Sequence, residues 1–178
     1  LNRRLETMEV LKIEKEKIDE AVQKILELGG EGILKCVQCG ACSGVCPGVR
    51  VGLTSLCRLL IRKLLNGQLE ETIEDMSTWG CQACNRCTEI CPQGVRPMEV
   101  VFAFRRYQAS ELAMSTSAFG PQMNLYEKGH AVITDAAAQN RKKVGLPENP
   151  PTALNNEQAQ KEIQTILDNS PMADLGIF

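Results

Sequence analysis

The chain is expected to fold as an all-α protein built around two short cysteine runs. Three observations carry that expectation. The cysteines form two copies of one pattern, Cys36-x2-Cys39-x2-Cys42-x3-Cys46-Pro47 and Cys81-x2-Cys84-x2-Cys87-x3-Cys91-Pro92, which use eight of the nine cysteines among 178 residues. The spacer between the runs places Leu53, Leu56, Leu60 and Leu64 at steps of three and four, which is the period of a helix. The same period recurs outside the runs, in Ile18, Val22, Ile25 and Leu26 ahead of them and in Met98, Val101, Phe102 and Arg105 behind them.

From the N-terminus, Met8 to Ile13 is ambiguous between a helical turn and a short strand. Ile18 to Leu28 reads as an amphipathic helix with charges opposite its apolar face and Gly29-Gly30 as the stop. The leucine helix of the spacer carries Cys57 in its middle and ends at Asn66-Gly67, and a shorter helix with Leu69, Ile73 and Met76 follows. Pro97 stands where the first turn of a helix tolerates proline. Three further pieces are a helix after Pro121, one from about Thr134 to Lys143, and one from Asn155 to Asp168 with Asn155 as N-cap. Gly145, Pro147, Pro150 and Pro151 keep residues 144–152 irregular. The expected division is an N-terminal helical segment 1–30, a cysteine-bearing domain 31–114 and a C-terminal extension 115–178. The last helix has only a narrow apolar stripe of Ile163, Ile166 and Leu167, which suits docking on another chain, and Leu175, Ile177 and Phe178 fit that use or a self-packed end.

Each cysteine run is the bacterial ferredoxin pattern, whose fourth cysteine ligates the other run's cluster, so two copies make a closed ligand set for two [4Fe-4S] clusters. On this reading Cys36, Cys39, Cys42 and Cys91 hold one cube, and Cys81, Cys84, Cys87 and Cys46 hold the other. The spacing leaves open the arrangement in which each run supplies all four ligands of its own cube. Pro47 and Pro92 turn the chain away, since proline fixes φ and has no N–H to offer a sulfur. Gly40, Ala41, Ser43 and Gly44 let the backbone approach an inorganic core closely. Small βαβ-type ferredoxins join their motifs through strands, whereas the helical spacer here points to the α-helical ferredoxin arrangement. Structural zinc draws Cys pairs from separated segments, a different spacing. A disulfide framework needs an oxidising compartment, and the charged N-terminal stretch has no apolar signal core.

Aromatic residues make up only 4% of the chain, so metal binding is expected to supply part of the folding energy and the apo-protein to be poorly folded. A net charge of −2 with interspersed signs argues against nucleic acid or an anionic membrane as the partner. No run approaches eighteen apolar residues, which excludes a membrane-spanning helix and leaves membrane association to another polypeptide. There is no Ser/His/Asp constellation, phosphate-binding glycine loop or paired carboxylates placed for acid–base work. With every iron held by thiolate, no coordination position is open to a substrate. The chain therefore reads as an electron relay with no catalytic residues of its own. Val37, Gln38, Gly40, Ala41 and Val45 in the first run face Gln82, Asn85, Arg86 and Glu89 in the second, so unequal cluster potentials are expected. Arg86 favours the reduced state and Glu89 opposes it, which leaves the direction open.

Four features lie outside the ligand set. Cys57 reads as a small buried hydrophobe. The lone His130 reads as a surface or packing residue that no cluster needs. Arg58, Arg62 and Lys63 read as a solvated face or a contact to an acidic partner. Trp79, just before Gly80-Cys81, is placed to shield a cluster or to pack in the core.

Together the two runs, the helical spacer, Lys128-Gly129-His130-Ala131-Val132 and Val144-Gly145-Leu146-Pro147-Glu148-Asn149-Pro150-Pro151-Thr152 resemble the C-subunit of the soluble heterodisulfide reductase of methanogenic archaea, from about residue 30 to residue 170. The cysteine runs alone are shared with electron-transfer components of fumarate reductase, glycerol-3-phosphate dehydrogenase and glycolate oxidase. The resemblance implies a cytoplasmic complex in which this chain passes electrons from a flavin-containing, iron–sulfur A-subunit to a catalytic B-subunit. The B-subunit, with noncubane clusters, reduces CoM-S-S-CoB to two thiols in methanogenesis, and a hydrogenase or formate dehydrogenase feeds the complex. The rival readings are the iron–sulfur component of a quinone-linked dehydrogenase or reductase, and a protein that uses its clusters as scaffold or sensor.

Overall fold

The computed structural model describes residues 13–114, 116–132 and 135–176, so most of the ambiguous stretch 8–13, the expected helix start at Thr134, and Ile177 and Phe178 lie outside it. Every regular element among the described residues is helical, and Ile13 is irregular. The fold is all-α. It divides into two compact units, Leu1–Ala113 and Met114–Phe178.

The first unit runs through α1 (Lys15–Glu27), α2 (Ala41–Gly44), α3 (Pro47–Arg50), α4 (Arg58–Leu65), α5 (Leu69–Thr72), α6 (Arg86–Glu89) and α7 (Pro97–Ser110), with 3-10 turns at Ile33–Lys35 and Met76–Gly80. Its centre is a three-helix contact in which α1 packs on α4 and α7, and α4 on α7. Ala21, Val22 and Ile25 meet Leu60, Ile61 and Leu64, and α7 adds Val100, Val101, Ala103, Phe104 and Tyr107. Burying each larger aliphatic or aromatic side chain is worth about 1.5–3 kcal/mol. Cys42, Cys57 and Cys87 belong to the same cluster of buried residues, so the three-helix contact and the cysteine loops share one core.

Pro97 occupies the first turn of α7, as its sequence position leads one to expect. The spacer differs from expectation. Leu53 and Leu56 precede α4, and Cys57 is the N-cap of that helix and not its middle. The cause is local: Cys57 adopts φ +50°, a value a helix interior does not accept. Leu56 is still buried, so the leucine period marks a continuous apolar face that the helix itself covers only in part. Lys63 is not solvated either. It pairs with Asp75 at 3.4 Å and donates to Ser55 Oγ at 2.8 Å, while the Ser55 hydroxyl donates to Asp75 Oδ2. Burial pushes the Asp75 carboxyl up, and the bonds from Ser55 and Ser77 with the Lys63 charge outweigh it, to about 2. Gln108 of α7 ties down the far end of the spacer, accepting from Thr78 Oγ1 at 2.6 Å and donating to Ile73 O at 2.7 Å and Asp75 O at 3.1 Å.

Gly67, at φ +76°, closes α4 against α1. A β-carbon there would stand 2.9 Å from the backbone of Lys17 and Ile18, which cannot yield as a side chain can. Gly67→Ala is therefore expected to destabilise the cluster-loaded protein by about 1–3 kcal/mol, from left-handed strain and overpacking combined. Anaerobic denaturant unfolding measures it, and an unchanged midpoint would refute it.

The second unit comprises α8 (Thr116–Lys128), α9 (Asp135–Lys143), α10 (Glu157–Asp168) and α11 (Pro171–Asp174). α10 packs on α8 and α11, and Gln164 donates to Tyr126 O at 3.0 Å. Two boundaries move from expectation. α8 begins ahead of Pro121 and contains it, because φ near −65° suits a helix even though the residue contributes no N–H. The N-cap of α10 is Asn156, whose side chain accepts from the N–H groups of Gln158 and Ala159, while Asn155 completes a 3-10 turn. Val132, Val144, Leu146 and Ile166 are exposed apolar side chains of this unit. Among the described residues no helix is long and apolar enough to cross a membrane.

Candidate metal centres

The two cysteine runs adopt one backbone conformation twice. Each follows a 3-10 turn, and Cys36 and Cys81 leave those turns extended, at φ −72° and −69°. Two residues on, Gln38 and Ala83 are left-handed at φ +59° and +53°. Two further on, Gly40 (φ +86°, ψ −2°) and Asn85 (φ +62°, ψ 0°) are left-handed again and open α2 and α6. Glycine enters that region freely and asparagine is the side chain that best tolerates it, so different residues give the same turn. Ser43 and Gly44 N–H groups then donate to Gly40 O at 3.0 and 3.1 Å, and those of Thr88 and Glu89 to Asn85 O at 3.0 and 3.1 Å. α2 packs on α6, which brings the copies face to face.

That contact makes two cavities and fills each with four sulfurs from both runs. Cys36, Cys39, Cys42 and Cys91 line the first, with Ala41, Arg58, Ile61, Pro92 and Val95 among its other walls, around about 340 Å³ of space partly open to solvent. Cys46, Cys81, Cys84 and Cys87 line the second, with Gly48, Leu56, Arg86, Met98 and Val101, around about 430 Å³. In both, the middle pair splits by depth: Cys42 and Cys87 are buried, Cys39 and Cys84 exposed. Among the described residues no aspartate, glutamate or histidine stands in either wall.

No three His, Cys, Asp or Glu side chains among the described residues converge closely enough to hold one metal ion. The thiols are instead spread around cavity walls, which suits a multi-iron core touched at its corners better than one tetrahedral zinc. The polar contacts fit an anionic sulfur-rich group as well. Gln38 Nε2 donates to Cys36 Sγ at 3.3 Å, and the Val95 N–H to Cys91 Sγ at 3.4 Å. Hydrogen bonds to the sulfurs are among the protein's means of setting cluster potential.

Cys57 sits between the cages. It is 3% exposed, lines the second cavity, and its thiol hydrogen-bonds with both Cys42 and Cys87, which occupy equivalent positions in the two runs. That contact, against the effect of burial and with help from the backbone at Ser43 and Arg58, draws the Cys42 thiol down to about 6. The same partner draws Cys87 down to about 7. Cys57 itself is pushed up by the hydrogen bonds to Cys42 and Cys87, then by burial. Thiolate is the form of cysteine that ligates metal, so the contact draws the two buried run cysteines towards that form and drives the ninth cysteine from it. Cys57→Ala is expected to retain the full iron content of the unaltered protein, measured by iron and acid-labile sulfide analysis. Loss of four irons would make Cys57 a ligand.

Of the other residues read from the sequence, Trp79 and Arg58 depart from expectation, and Arg62 and His130 do not. Trp79 is absent from both cavity walls and instead lies under the guanidinium of Arg105, 5.4 Å from its ring centroid. Arg58 is no solvated charge: it lines the first cavity and its Nε donates to Gln38 O at 2.9 Å. Arg62 is exposed. His130 lines neither cysteine cavity and stands beside Val132, Arg141 and Glu148 in the second unit. Arg105, which bonds to the Cys81 carbonyl, is the contact of the second run that the sequence hides. On the helical period it counts as the edge of an apolar stripe, and only its place two turns after Pro97 on a helix facing the second run was available as a hint.

Residues 33–92, the stretch holding both runs, match the profile of the family described as 4Fe-4S dicluster domain. The whole chain is similar to a protein of Archaeoglobus profundus that is itself like the heterodisulfide reductase C-subunit, at 44% identity over 165 residues, 92% of this chain and 87% of that protein. It is similar to the iron–sulfur C-subunit of the CoB–CoM heterodisulfide reductase of Methanopyrus kandleri, at 36% identity over 157 residues, 85% and 80% of the two chains. Identity is 37% over 157 residues with the C-subunit of the H2:CoB-CoM heterodisulfide,ferredoxin reductase of Methanothermobacter thermautotrophicus, covering 87% and 84%. These matches, joined to the sulfur-lined cavities, give the chain an iron–sulfur electron-transfer role within a multisubunit oxidoreductase. It belongs to the family of heterodisulfide reductase C-subunits.

Proposed function

We propose that each cavity holds one [4Fe-4S] cluster, ligated by Cys36, Cys39, Cys42 and Cys91 in the first and by Cys81, Cys84, Cys87 and Cys46 in the second. The observation that carries this is the exchange of the fourth cysteine: Cys91 lines the cavity of the first run and Cys46 that of the second. When bound, the clusters supply one-electron redox chemistry. The chain supplies the rest. Cys42 and Cys87 fix the inner corners, Cys57 keeps the cages in sulfur contact, and Ile61, Val95, Leu56 and Val101 keep water from the inner walls.

In this reading the chain takes electrons from the flavin of the A-subunit and delivers them to the B-subunit. There two electrons and two protons convert the S–S bond of CoM-S-S-CoB into the thiols of coenzyme M and coenzyme B. The complex works in the cytoplasm and draws on a hydrogenase or formate dehydrogenase. Segment 115–178 is the part that docks on a partner, a use supported by the exposed Val132, Val144, Leu146 and Ile166.

Anaerobic affinity purification of the chain from its native cell, with mass-spectrometric identification of what stays bound, tests this. Co-purification with a flavoprotein and a cysteine-rich polypeptide, in a fraction that reduces CoM-S-S-CoB, is the expected result. A quinone-linked membrane partner would transfer the relay to another dehydrogenase.

A further inference from the structure

The two cages repeat one another in backbone and ligands but not in their cations. Behind the second cage, Arg105 of α7 donates from Nε to Thr78 O at 2.8 Å and from a terminal nitrogen to Cys81 O at 2.9 Å, clasping the chain as it enters the second run. Its guanidinium lies over two aromatic rings, 5.4 Å from the centroid of Trp79 and 4.9 Å from that of Phe102. Its bond to the Cys81 carbonyl holds the charge beside the first cysteine of that run. Among the described residues no carboxylate pairs with it. The cation of the first cage is held differently: half-buried Arg58 stands in the cavity wall itself, its guanidinium bonds to Gln38 O, and no aromatic ring lies against it among the described residues. Arg86 adds a second cation to the wall of the second cage, but it is exposed and screened by water and salt. Glu89, which would oppose it, is outside that wall and accepts from Asn85 Nδ2 at 3.3 Å.

We propose that Arg105 is a positioning residue that makes the second cage, held by Cys46, Cys81, Cys84 and Cys87, the higher-potential and electron-accepting end of the chain. This rests on the relay reading above and adds a direction to it. Reduction adds one negative charge to a cage. A cation that lies against two rings, partly removed from water and free of a compensating carboxylate, acts on that charge at lower effective dielectric than an exposed one. The five-donor fork of arginine matters too, since it holds the charge against Cys81 through two backbone carbonyls. Electrons therefore enter at the first cage and come to rest at the second.

The test compares the unaltered full chain with Arg105→Gln and Arg105→Lys, each reconstituted anaerobically, assayed for iron and sulfide, and titrated potentiometrically with EPR detection. The second-cage signal is assigned by its change in Cys84→Ser. The second-cage midpoint is expected to be the higher one in the unaltered chain. Arg105→Gln lowers it by about a tenfold change in the reduction equilibrium, 59 mV for a one-electron couple, and leaves the first-cage midpoint in place. Arg105→Lys, which keeps the charge, recovers most of the shift. Equal lowering of both midpoints, no lowering at full iron content, or a failure of Arg105→Lys to recover any of the shift overturns the proposal. So does a first-cage midpoint above the second in the unaltered chain, which decides the matter even if Arg105→Gln does not keep its iron. Absence of a cluster from the unaltered chain would instead overturn the relay reading, and this proposal with it.

Discussion

Cys91→Ala is expected to remove the cluster of the first cage and leave that of the second. The residue is the last cysteine of the second run, so a reading from sequence neighbours alone gives the opposite result. Its Sγ lies in the wall with Cys36, Cys39 and Cys42, and the Val95 N–H bonds to it there. Alanine takes away one of four thiolates and leaves the second cage's set of Cys46, Cys81, Cys84 and Cys87 complete. Iron content should fall to about half, and one of the two EPR signals should vanish. Cys46→Ala is the mirror experiment and should remove the other signal. If Cys91→Ala extinguishes the second-cage signal, each run holds its own cube and the crossed assignment is wrong.

Stripping the iron is expected to unfold the cysteine loops and to weaken the whole first unit. α2, α3 and α6 have four residues each, far below the length of about 12–15 at which a helix is marginally stable by itself. Gln38, Cys57, Ala83 and Asn85 are held at positive φ, a conformation that costs about 1–3 kcal/mol at each non-glycine residue and persists only where surrounding structure imposes it. Gln38 lines the first cavity, and Ala83 stands between Gln82 and Cys84, which line the second. Cys42 and Cys87 belong to the buried cluster that includes Ile61, Leu56 and Val101, so the loss propagates into the contact of α4 with α7. Chelation under argon should abolish amide protection across 36–46 and 81–91 and lower the unfolding midpoint of the remainder. Native-like protection of those amides in the iron-free chain would show that the loops fold without metal.

Much of this architecture was legible because its determinants are short-range. The cysteine spacing defines both loops, Pro97 opens α7, Gly67 ends α4, and the period of Ile18, Val22 and Ile25 marks the buried face of α1. What escaped depends on partners distant in sequence. Cys57 reads as a mid-helix residue until its φ shows it to be a cap, and its place between Cys42 and Cys87 follows from the packing of α2 on α6. Lys63 reads as a solvated charge because Ser55 and Asp75 lie 8 and 12 residues away. Arg105 is 24 residues from the carbonyl of Cys81, and nothing local to α7 marks it as different from Arg106. Trp79 sits beside the second run in sequence, yet its ring meets the guanidinium and not the cavity.

The uneven depth of the four corners in each cage fixes where chemical damage begins. Cys39 and Cys84 face solvent in equivalent positions, while Cys42 and Cys87 are enclosed. An oxidant diffusing up from outside meets the same corner of both cages first, and sulfur at an exposed position is the more readily carried to sulfenic acid and beyond. A neighbouring surface that seals Cys39 and Cys84 would therefore cover the most exposed corner of both cages at once.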